Sequence, residues 1–139
     1  MSTPGWCSLR FRFDDRELTL LRGAEHIRGA AMAHAPRPEQ LRTALKLAKA
    51  GHKLGVAHAG VSVTLEESEL QLLLEAVRYA TDEIHGAARV ANDATADSRR
   101  RDVVLGAFPE LADRGGWRSF GVTRELDSLA GRLHTALHS

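Results

Sequence analysis

Every lysine in this chain falls on one short stretch, and the spacing is that of a single helical face. Arg42, Lys46, Lys49 and Lys53 stand at i, i+4, i+7 and i+11, so a helix through them aligns four cations, with Arg37 extending the row. Such a row suits the successive phosphates of a nucleic acid, each contact releasing counterions and making binding salt-dependent. It also suits the solvated side of an amphipathic helix, the commoner use of charge opposite an apolar stripe. No aromatic residue is interleaved to stack on bases, which weakens a single-strand reading.

A second basic cluster, Arg99, Arg100 and Arg101, follows Ser98, a helix cap in type. Cations there oppose the helix dipole, so they suit a phosphate or an acidic partner, or they pair with the neighbouring Asp93, Asp97 and Asp102. Facing these clusters in charge is the acidic run Glu66, Glu67, Glu69, Glu75, Asp82 and Glu83. The dipole explains acid in a first helical turn, and the remainder suggests that acidic and basic segments pair, within the chain or across a dimer.

Seven histidines offer acid–base or metal chemistry. His134 and His138 share a helical face at i, i+4, but no Glu or third ligand lies nearby, so no metal site is expected. Arg28 with His34, and Arg78 with His85, combine a cation with a general acid or base, the elements of a small nuclease or phosphate-handling enzyme. Their spacing identifies no family. Cys7 shares strand parity with Leu9, Phe11 and Phe13 and is expected in the core as a small apolar residue. Gly115 to Gly121, with Arg118, matches no phosphate-binding motif, and Trp117 and Phe120 read as anchors for the last helix. Nothing implies a cofactor.

Two strand-to-helix units would position these groups. Cys7 to Phe13 alternates apolar and polar, then Asp14 and Glu17 form a capping-box pattern that starts a helix near Asp15. In it Leu20, Ala24, Ile27 and Ala31 make a narrow apolar stripe, Gly23 and Gly29 weaken it unless close packing uses them, and Pro36 and Pro38 end it. The next helix runs from about Pro38 or Glu39 to Lys53, with Leu41, Ala44, Leu45 and Ala48 as its apolar side. Val61 to Thr64 makes the second strand, and Thr64 with Glu67 predicts a second capping box for a long helix from Leu65 to about Ile84, extended through Ala91. Its many leucines point to several sides, which predicts a central position. A helix capped by Ser98 buries Val104, Ala107, Phe108 and Leu111, with Pro109 as a disturbance. The last starts near Thr123 and buries Leu126, Leu129, Ala130, Leu133 and Leu137.

With 43% hydrophobic residues in 139, the chain supports one core, which predicts a single domain over residues 1–139. Its 19 basic and 18 acidic residues cancel, excluding the global positive excess of a dedicated nucleic-acid binder. There is no run of about eighteen apolar residues and no signal-like N-terminus, and one cysteine fits a reducing compartment, so the expected location is cytoplasmic and no membrane partner is expected. The expected fold is α+β and mainly α, about five helices with two short strands. Two strands alone are marginal, which suggests a small sheet completed across a homodimer, or one covered by helices on both faces. The expected function is a small non-enzymatic interaction or regulatory protein acting through helical surfaces as a homodimer. A nucleic-acid-binding regulator using the Arg42 to Lys53 face is the alternative, and an Arg/His-dependent nuclease the second.

Overall fold

The structure, a computed structural model, describes residues 8–34, 37–89, 98–113, 116–117 and 119–138. In chain order the elements are β1 (Ser8–Arg12), α1 (Asp15–His34), a 3-10 turn (Pro38–Gln40), α2 (Leu41–Gly55), β2 (Ser62–Glu66) and α3 (Glu67–Arg89). After these come α4 (Ser98–Ala107), a 3-10 turn (Pro109–Leu111), β3 (Ala112–Asp113), β4 (Gly116–Trp117) and α5 (Ser119–Leu137). The fold is α+β and mainly α, with five helices among the described residues. Cys7 and Pro36 lie outside them.

The two predicted strands pair with each other. β1 and β2 run antiparallel, with Leu9 opposite Leu65 and Phe11 opposite Val63 on the inner face, and Arg10 opposite Thr64 and Arg12 opposite Ser62 outside. Phe13 continues the inner row and stacks on Phe11 with ring centroids 5.4 Å apart. Gly60 closes the ribbon's end at φ 75°, a backbone that disfavours other residues, and donates its amide to the Phe13 carbonyl at 3.1 Å. β1 and β2 form a two-stranded ribbon, and Phe11, Phe13 and Leu65 join the helical core, so helices cover its inner face. The β3–β4 pair is a small hairpin where a turn-rich loop was expected.

Helix α1 begins as its sequence predicts. The Glu17 amide donates to Asp14 Oδ1 at 2.7 Å and the Asp14 amide to Glu17 Oε1 at 3.1 Å, a reciprocal capping box. Its buried face is wider than the predicted stripe, adding Leu18, Leu21 and Met32 to Leu20, Ala24 and Ile27, while Ala31 is only half-buried. Gly23 is used by packing: a Cβ there would sit 2.4 Å from Phe108 Cζ, so the missing side chain admits the ring that follows α4.

One half of the second capping box forms, displaced by two residues. The strand continues through Glu66, and the Glu66 amide donates to Glu69 Oε1 at 2.9 Å, so Glu66 and Glu69 start α3 in place of Thr64 and Glu67. The alternation Val63, Leu65 extends the strand pattern past the expected end. α3 is central as predicted, packing on α1, α2, α4 and α5, and it continues to Arg89; Ala91 lies outside the described residues. Val104, Phe108 and Leu111 are buried, Ala107 half so, and Pro109 opens the second 3-10 turn. α5 starts at Ser119, four residues before Thr123, and buries Val122, Leu126, Leu129, Ala130 and Leu133.

Candidate interaction surface on α2

The apolar side predicted for α2 is not its core side. Leu47, Ala50 and Leu54 are buried, whereas Leu41 is 63% exposed, Leu45 64% exposed, and Ala48 exposed. At about 100° per residue, Leu41, Leu45, Ala48, His52 and Val56 share one arc nearly opposite the buried one. Val56 is 64% exposed too. The helix therefore carries two apolar stripes, and the one of Leu47, Ala50 and Leu54 is the buried one. The sequence contained both patterns, and the choice between them rests on tertiary packing: α1 and α3 approach from the other side.

The cations lie in the arc between the stripes, beside the acidic start of α3. Lys53 Nζ meets Glu69 Oε1 at 2.6 Å and the Thr64 carbonyl at 3.4 Å, while Lys49 lies 3.9 Å from Glu66. The acidic and basic segments thus meet within one chain. Arg42 and Lys46 line a shallow groove with Gln71, Leu72 and Glu75, and Arg37 is exposed at the preceding 3-10 turn. The row is continuous in sequence but divided in space, because its Lys53 end is tied into α3. Of the other predicted cluster, Arg99 and Arg100 lie in α4 with side chains outside the described residues, and Arg101 is half-buried and partnered.

On the far side of the outer stripe, α1 and α2 enclose a groove of about 340 Å³, lined by Gly29, Met32, Ala33, Ala44, Leu47 and Ala48, with Glu25, Arg37, Gln40 and Leu41. Glu25 is the residue sequence reasoning missed. Its carboxyl lies against Gly51, where a Cβ would come within 2.8 Å of Cδ, and burial raises its pKa above the ordinary carboxylate range, with His26 opposing weakly. Glycine at position 51 leaves room for that carboxyl between the helices. No local pattern announces it, since Glu25 and Gly51 are 26 residues apart and neither belongs to a motif.

Other charged groups are occupied structurally. Arg16 grips Glu125 through two bonds of 2.8 and 2.9 Å and reaches Glu110 at 2.8 Å, which raises its pKa and lowers that of Glu125. Arg132 binds Glu17 and donates to the Arg12 carbonyl at 2.9 Å. Arg22 reaches from α1 to the carbonyls of Leu54 and Ala57 and so caps the end of α2. Arg28 lies over the Tyr79 ring at 4.6 Å and 3.5 Å from Glu75; the His34 side chain is outside the described residues, and Arg78 and His85 are exposed on α3. The His134 and His138 rings are 4.4 Å apart, but among the described residues no three His, Cys, Asp or Glu side chains are grouped to hold a metal. No described helix is long and apolar enough to cross a membrane.

No known protein family, curated protein or solved structure matches this chain.

Proposed function

We propose that this is a non-enzymatic interaction protein that self-associates through the outer face of α2. The supporting observation is the second apolar stripe, Leu41, Leu45, Ala48 and Val56, left in water by a chain that already has a complete helical core. Apolar residues scattered singly over a surface need no explanation, but here they follow one helical line of about 22 Å, from residue 41 to residue 56. A second copy offering the same line would bury both. The alternative of a phosphate-binding row is weakened by the glutamates that hold Lys53 and flank Lys49.

Sedimentation velocity over a hundredfold concentration range tests the reading. The wild-type chain is expected to shift from monomer to dimer, and L41E/L45E is expected to remain monomeric with unchanged helical circular dichroism. A wild-type chain that stays monomeric at several hundred micromolar refutes it.

A further inference from the structure

The charges beside the outer stripe of α2 are asymmetric, and they determine how two copies of that helix fit together. Looking down α2, the cations lie about 100° to one side of the stripe and Glu25 lies on the other, beyond Ala44 and Gly51. A two-fold axis perpendicular to the helices pairs them antiparallel and puts Arg42, Lys46, Lys49 and Lys53 of both copies along the same side. A two-fold axis along the helices pairs them parallel and brings each cationic side to the partner's Glu25 side. Like charges side by side oppose the first arrangement, and complementary charge favours the second.

The level along the helix selects the cation. Glu25 lies beside Gly51, whereas Arg37 occupies the opposite end of the groove, near Leu41. In a parallel pair equivalent residues stand at the same height, so the matching cation must come from near position 51. Lys53 is held by Glu69 at 2.6 Å, but Lys49 is 62% exposed and as far as 3.9 Å from the half-buried Glu66, a contact loose enough to leave.

We propose that two copies pack α2 against α2 in parallel about a two-fold axis, with Lys49 of each copy reaching Glu25 of the other. This rests on the self-association proposed above. Each protomer supplies the cation that completes the other's α1–α2 groove, and Leu41, Leu45 and Ala48 meet their own equivalents across the axis. A half-buried carboxyl that has no ion pair among the described residues gains one from the partner, beside the small residues Gly29, Ala44 and Ala48 that line the groove.

Two measurements on the full chain test this. In sedimentation equilibrium, E25Q and K49Q should each weaken the dimer about tenfold, and E25Q/K49Q should be no weaker than either, the coupling expected of a close charge pair. Additive losses in the double variant overturn the pairing. In a Cys7→Ser background, Leu41→Cys and Leu45→Cys should each oxidise to a disulfide-linked dimer, because each meets its equivalent in the parallel form. If instead Leu41→Cys links only when mixed with Val56→Cys, the dimer is antiparallel and the proposal fails while self-association stands. A strict monomer in every variant and the wild type removes both.

Discussion

Lys53 and Lys46 are alike in type and seven residues apart in one row, yet their surroundings give them different work. Glu69 is 1% exposed, and it accepts the Glu66 amide and Lys53 Nζ with one oxygen while its second oxygen has no hydrogen-bond partner. Removing Lys53 would leave a buried carboxylate with one backbone donor, so Lys53→Met should lose about 2 kcal/mol in urea unfolding at pH 7, whereas Lys46→Ala should change stability by less than about 0.5 kcal/mol. Equal losses would mean that the row acts as one diffuse patch. Glu25 gives the opposite sign of pH dependence from an ordinary paired acid. Its raised pKa means that, between the unfolded and folded values, the folded state keeps a proton that the unfolded state releases, so its contribution falls as pH rises through that window. At monomeric concentrations, Glu25→Gln should therefore be more stable than wild type at pH 7, and the difference should vanish at about pH 3, below the unfolded value, where both states hold the proton. Unfolding curves from about pH 3 to 7 would show it; a variant less stable at neutral pH would mean that Glu25 has a cationic partner in the monomer.

At the level of elements, much was legible wherever periodicity and caps point the same way. Alternation from Leu9 to Phe13 and the Asp14–Glu17 box locate β1 and the start of α1, and the leucines of α3 mark it as central. What local pattern could not decide was which of two apolar stripes on α2 faces inward, since both have helical spacing and only the positions of α1 and α3 separate them. The capping box at α3 moved to Glu66 for a related reason: pairing with β1 holds the strand two residues longer, and Glu69 then stands three residues after the new cap. The Gly23–Phe108 contact belongs to the same class, a fit between distant segments that composition does not show. Gly23→Ala should cost about 1–3 kcal/mol by forcing the ring, although alanine is the better helix former, and Phe108→Leu should relieve part of that loss in the double variant. Thermal unfolding of the four chains measures the coupling, and a stabilised Gly23→Ala would show that the ring gives way freely. The Arg16 clamp between α1 and α5 contributes less than its short bonds suggest, because the Arg16 and Glu125 side chains are 39% and 43% exposed and screened. Lowering of the Glu125 pKa adds stability above the unfolded value and loses it as pH falls through the folded one, so Glu125→Gln should cost no more than about 1 kcal/mol at pH 7 and nothing at about pH 2.

For the whole molecule, the decisive contrast is between a core that is closed and a helix that is not. One hydrophobic cluster draws on β1, β2 and the five described helices, and β1 pairs with β2 in the same chain. The outer stripe of α2 lies outside that cluster, where the proposed association would use it. Folding and association separate in one experiment. If a folded monomer is in equilibrium with a dimer, each tenfold rise in concentration above the dissociation constant adds about 0.7 kcal/mol of apparent stability per chain by mass action, which for a domain of this size raises the melting temperature by about 2 °C. L41E/L45E should melt at a temperature independent of concentration and equal to that of the wild type at high dilution, because both leucines are mostly exposed and neither belongs to the core. A concentration-independent wild type would remove the dimer, and a variant that melts far below dilute wild type would show that these exposed leucines support the fold itself.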